Sequence, residues 1–98
     1  MIRISEADLH PHLRARMVQR GVTKDEIEKA LNDGWEAGDS KPGTSGKVLV
    51  LPYHNLWEGE FFEEKEVTVY YKRIHDSVMI LTGKARYGTG FPRMEGRP

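Results

Sequence analysis

The spacing of apolar positions divides the chain into a helical first third and a β-rich remainder. Leu9, Leu13 and Met17 recur every four residues over 9–20, the stripe of an amphipathic helix. Pro11 suits its first turn, where the missing N–H is not needed, and Gly21 follows as a left-handed stop. Thr23 and Glu26 stand in capping-box relation, Ile27, Ala30 and Leu31 supply the inner face of a second helix, and Gly34 ends it. The period then changes. Residues 35–46 are rich in Gly, Ser, Asp and Pro and read as a surface connection. Strands are expected over 48–51, 67–71 and 78–82, the last two joined as a hairpin through His75, Asp76 and Ser77. Residues 53–65 mix Tyr53, Trp57, Phe61 and Phe62 with acids, and fit either a further strand with a turn or a long excursion. From Gly83 onward glycine and proline recur, which predicts an irregular tail over 83–98. The expected fold is α+β: an N-terminal helical hairpin packed on a small, mostly antiparallel sheet of three or four strands, in one domain spanning 1–98.

Composition narrows the function classes. Apolar residues make up 38% of the chain, enough for one core. Acids and bases number 15 each, so no global attraction to nucleic acid or membrane is expected. The neutrality hides a pattern. Residues 1–24 carry net +3, residues 55–66 net −4, and residues 70–98 net +4. If the first helix packs beside the last strands, a basic face results. Cysteine is absent, which removes disulfides and thiolate chemistry and points to the cytoplasm. Residues 1–6 contain no apolar run of the signal-peptide kind, and no stretch approaches the roughly 20 apolar residues of a membrane span.

The candidate chemistry sits on the first helix. At 100° per residue, His12, Arg16 and Arg20 fall within about 80° of one another, beside Leu9 and Leu13. A row of fixed cations with an imidazole suits phosphate. The structural alternative has the arginine stems covering the core while the guanidiniums reach solvent or carboxylates such as Glu26 or Glu28. Lys84 and Arg86 alternate around Ala85, so both side chains leave one face if a strand continues there. Their alternative role is edge-strand charge that deters aggregation.

The segment His12-Leu-Arg-Ala-Arg16-Met-Val-Gln-Arg20-Gly21-Val-Thr23, followed by Glu26-Ile27 and Ala30-Leu31, resembles the opening of a family of short, largely uncharacterised proteins related to the RelE and BrnT toxins. The resemblance covers residues 9–34 and, more loosely, 66–87. It implies helices on a small antiparallel sheet and a metal-independent endoribonuclease that needs no cofactor. In such chemistry a base takes the ribose 2′-OH proton, cations stabilise the phosphorane, and an acid protonates the leaving 5′-oxygen. On this reading His12 is the base or acid and Arg16 and Arg20 clamp phosphate. Lys84 and Arg86, on chemical grounds, add neutralisation, and Tyr87 donates a proton. RNA or the ribosome is the implied target, and an antitoxin-like protein the partner. The competing expectation is a non-catalytic interaction module or homodimer of the same fold, using an edge strand and the 53–62 aromatics.

Other signals are weaker. His10, His12, His54 and His75 invite a metal, but His10 and His12, two apart on a presumed helix, do not share a face. Gly43-Thr-Ser-Gly46-Lys47 lacks Walker spacing and reads as a turn. No serine has nucleophile-elbow context. The 53–62 aromatics suit base stacking, partner docking or core filling.

Overall fold

The structure is a computed structural model and describes residues 2–93. A short 3-10 turn (Glu6–Asp8) leads into helices α1 (Pro11–Arg20) and α2 (Lys24–Asp33). Strands β1 (Trp35–Glu36), β2 (Ser45–Trp57), β3 (Glu60–Ile74) and β4 (Ser77–Gly88) follow. They form one antiparallel meander in the order β1-β2-β3-β4. This is the α+β arrangement expected, a helical hairpin preceding an antiparallel sheet.

The helices form for local reasons. Pro11 opens α1, with His10 outside it as N-cap, and its Nδ1 accepts from the His12 N–H at 3.2 Å. Gly21 closes α1 at φ 73°, and its N–H reaches the last-turn carbonyls. Thr23 and Glu26 form a reciprocal capping box at 3.1 and 2.9 Å.

The core is a single layer between this hairpin and one face of the sheet. Leu13, Met17, Ile27, Ala30 and Leu31 meet Leu49, Val67, Val69, Tyr71 and Ile80. Along β3, Lys65, Val67, Val69 and Tyr71 are buried while Glu64, Glu66, Thr68 and Tyr70 turn the other way, the period of two of a strand with one face covered. Ile27, Val67 and Val69 retain no exposed surface. Burial of each contributes about 1.5–3 kcal/mol. Helix α1 lies over β4, and α2 over β2 and β3.

No helix among the described residues covers the far face of the sheet. At one end the 37–44 loop folds back, with Asp39 accepting from the Tyr70 hydroxyl at 2.7 Å. At the other end residues 89–93 return over the strands, gripped by Glu64. Its carboxylate accepts from the Gly90 and Phe91 amides at 2.7 and 3.1 Å and from Arg93 at 2.7 Å.

Two expectations need correction, and one open alternative is decided. The 35–46 connection contains the two-residue β1. Residues 53–65 are the strand with a turn, not the long excursion: Glu58 at φ 52° and Gly59 at φ 84° form a two-residue turn, and the pairing shifts register between Pro52 and Asn55. Strand β4 runs through Gly88, so the irregular tail does not begin at Gly83; residues 94–98 of that expectation lie outside the described residues. Gly83 is no turn. It lies within the strand facing the helical hairpin, and a Cβ there would meet Ile27 Cδ1 at 3.4 Å and Val22 Cγ1 at 3.5 Å, ordinary packing distances.

Candidate functional site

Arg20 and Gly21 join three elements. The Arg20 guanidinium crosses from α1 to the edge strand, where Nη1 donates to the Gly83 carbonyl at 2.9 Å and to Thr82 Oγ1 at 3.2 Å. The Arg20 carbonyl accepts from the Tyr87 hydroxyl at 2.8 Å. Lys65, only 3% exposed, donates to the Gly21 carbonyl and to Glu26 Oε1 at 2.8 Å. Its ammonium also lies 5.4 and 5.5 Å from the Tyr53 and Tyr87 ring centres. Trp57 stacks on Tyr87 at 4.9 Å, with Phe62 and Tyr53 completing the cluster. Much of the Arg20–Glu26 segment is therefore fold-building. Of the structural alternative, Arg16 reaches solvent, whereas neither guanidinium is paired with Glu26 or Glu28, which are taken by Lys65 and by the Ile4 amide.

With Arg20 holding α1 against β4, His12 and Arg16 line a groove of about 180 Å³ whose other walls are Leu13, Leu81 and Thr82. Both side chains are exposed, and Arg16 has no ion-pair or hydrogen-bond partner among the described residues. The His12 ring stacks on His10 with centres 5.3 Å apart and planes 12° from parallel. The expectation that these two histidines diverge fails because His10 is the cap and not a helical residue. Pro11 at the first helical position was the signal that could have shown it. Among the described residues no three His, Asp or Glu side chains are placed to share a metal ion.

The remaining candidates are elsewhere. Lys84 and Arg86 leave one face together, as their alternation predicts, but it is the face away from the helices, since Ala85 between them packs on the core. A single basic face uniting them with Arg16 and Arg20 does not form. Arg86 is bound to Glu66 at 2.8 Å and lies over the Phe91 ring. Lys84 sits 5.3 Å above the Tyr70 ring. It lines a depression of about 400 Å³ with Asp39, Lys41, Thr44, Tyr70, Leu81 and Thr82. Sequence reasoning did not find this depression, because Asp39, Lys41 and Thr44 reach it only when the loop folds back. Tyr87 faces the aromatic cluster, and burial pushes its phenol up to about 12, with nearby Tyr53, Glu26 and Glu58 adding to the effect. Its proton is committed to the Arg20 carbonyl.

Comparison with known proteins yields no match, whether to a family model, a curated protein or a solved structure.

Proposed function

We propose that this chain is an RNA-directed protein of the RelE/BrnT-like kind, with its site in the α1–β4 groove and endoribonuclease chemistry carried by side chains. The observation that carries the reading is the free Arg16 guanidinium beside the stacked His10–His12 pair, on a helix that Arg20 holds to an edge strand. Arg16 takes a backbone phosphate. His12 accepts the 2′-OH proton as the 2′-oxygen attacks phosphorus, and the departing 5′-oxygen takes a proton from water in the open groove. The products are a 2′,3′-cyclic phosphate and a 5′-hydroxyl. Arg20 positions the helix, and Tyr87 braces Arg20 instead of donating a proton to the substrate.

The test is cleavage of unstructured RNA and of mRNA on translating ribosomes, in EDTA, by wild type, His12→Ala and Arg16→Ala. Both substitutions are at exposed positions, so folding should hold within about 0.5 kcal/mol. Cyclic phosphate ends from wild type and none from either variant support the assignment. Intact RNA in every lane removes the nuclease.

A second reading is favoured by the hairpin tip. Leu56 and Phe61 oppose each other across β2 and β3 and remain 59% and 55% exposed, with Glu58 and Glu60 in the turn that joins them. Such an apolar pair ringed by acid suits protein docking, to an antitoxin-like partner or to a second copy. A folded monomer that cuts no RNA, yet forms dimers lost in Phe61→Ser, would place the protein in this class.

A further inference from the structure

The groove and the far-face depression are separate openings that share two residues. Leu81 and Thr82 wall both, one from each side of β4. Nothing among the described residues pairs with the outer side of β4, so the sheet there ends in a rim one strand thick. Cations without carboxylate partners flank the rim: Arg16 on the helix side, Lys41 and Lys84 on the far side. The basic neighbours further along the far face are neutralised, Arg86 by Glu66 and Arg93 by Glu64.

The far-side site is built in advance. Lys84 is held above the Tyr70 ring, and the Tyr70 hydroxyl is held by Asp39 of the loop that also brings Lys41. Asp39 keeps its charge while accepting from the phenol, so the two ammonium groups outnumber the one carboxylate and leave the depression net positive. The Thr82 hydroxyl, which accepts from Arg20, keeps its proton for an anion, whereas the Thr44 hydroxyl donates to the Lys41 carbonyl at 2.7 Å. At about 400 Å³ the depression has the size of a small-ligand site.

We infer that the target is unpaired RNA, which crosses the β4 rim at Leu81 and Thr82, with one phosphate at Arg16 and a following one at Lys84 and Lys41. This rests on the proposed RNA reading and names its substrate class. Two phosphates on opposite faces of one sheet demand a sharp bend that a single strand makes and a stiff A-form duplex does not. The far-side site is a binding subsite and takes no part in proton transfer.

The experiment titrates three probes against wild type, Arg16→Gln, Lys84→Gln and Lys41→Gln over a range of salt. The probes are an oligouridine of about ten nucleotides, an RNA duplex of the same length, and 5′-UMP. Glutamine keeps the stem of each exposed side chain, and circular dichroism verifies folding. Lys84→Gln is expected to weaken the single strand about tenfold and to lower the slope of log K against log salt by about 0.7, one phosphate contact. Lys41→Gln should do the same to a smaller degree, and the duplex should bind far more weakly than the single strand. If Lys84→Gln and Lys41→Gln change neither affinity nor slope while Arg16→Gln lowers both, the far-side subsite is refuted and the RNA reading stands. Equal binding of duplex refutes the crossing. So does 5′-UMP binding as tightly as the oligonucleotide with the same dependence on Lys84, which would make the depression a free-nucleotide site. If wild type binds none of the probes, both readings fall.

Discussion

Gly21→Ala should destabilise the protein far more than a left-handed glycine substitution ordinarily does. Gly21 has φ 73° and Gly43 has φ 81°, so alanine at either position meets the same backbone penalty, about 1–2 kcal/mol. The surroundings differ. Nothing lies within 4 Å of a Cβ on Gly43. A Cβ on Gly21 would stand 2.5 Å from the Tyr87 hydroxyl oxygen and 2.6 and 2.8 Å from two carbons of the Trp57 ring. Relieving that overlap adds about 1–3 kcal/mol of overpacking. Moving Tyr87 off the Arg20 carbonyl adds about 1 kcal/mol more. The expected costs are therefore about 1–2 kcal/mol for Gly43→Ala and about 3–6 kcal/mol for Gly21→Ala, against a total stability of order 5–15 kcal/mol.

Urea denaturation followed by tryptophan fluorescence measures both, and Trp57 reports directly on the altered contact. Trp57→Leu in the Gly21→Ala background should recover part of the excess, because the ring that collides is gone, and the double-mutant cycle gives the coupling. Equal costs for Gly21→Ala and Gly43→Ala would refute the argument that Gly21 is required by its neighbours and leave only its dihedral angle. If the proposed RNA reading holds, a folded Gly21→Ala protein should also bind RNA less well, since the substitution loosens the turn that follows Arg20.

Lys65→Met removes the ammonium that satisfies Glu26 and the Gly21 carbonyl. Because the Glu26 side chain keeps 21% exposure, the loss should be about 2–3 kcal/mol, below the range for a fully buried broken pair. Glu26→Gln should cost less, as the amide still accepts from Lys65 and still completes the capping box; thermal denaturation that reverses this order counts against the node. At Glu64 the hydrogen bond from Arg93, followed by that from the Phe91 amide, holds the carboxyl below its ordinary 4.5. The folded-state value being lowered, the grip on residues 89–93 is complete above 4.5 and weakens as pH falls through that lowered value. The Gly90 and Phe91 amide resonances should titrate together below 4.5, and Glu64→Gln should abolish the step; an unchanged step in that variant would assign it to another group.

The helical hairpin was readable because its signals are local: a four-residue apolar spacing, Pro11, Gly21, and the Thr23–Glu26 box all act within a few residues. The extended hairpin of β2 and β3 was harder to read because its turn uses Glu58 in a left-handed conformation, where composition gives no Asn-Gly or Asp-Gly signature. Gly83 misled for a related reason. A glycine that ends a strand and one that sits inside it beneath a helix look alike until the helix is placed. At the site, the shared face of His12 and Arg16 followed from helical geometry alone. The engagement of Arg20 with Thr82 and Gly83 is a contact between distant parts of the chain that periodicity does not encode. Alternation likewise put Lys84 and Arg86 on one face, but which face depends on how Val67 and Ala85 meet the helices.

A chain with no net charge is not excluded from RNA, because three of its half-buried carboxylates are ion-paired, Glu26 between helix and sheet and Glu64 and Glu66 on the far face. Glu26 is bound to Lys65, Glu64 to Arg93 and Glu66 to Arg86, three carboxylates with little exposure, which leaves them little field at the β4 rim. The cations that remain there, Arg16, Lys41 and Lys84, set the local potential that a phosphate meets. Two phosphates held on a single strand predict a salt slope near −1.4, since each contributes about 0.7. Binding of that kind is modest and local, without the long-range steering of a strongly basic surface. Selectivity would then have to come from shape, with the β4 rim accepting a strand able to bend over it and refusing a duplex.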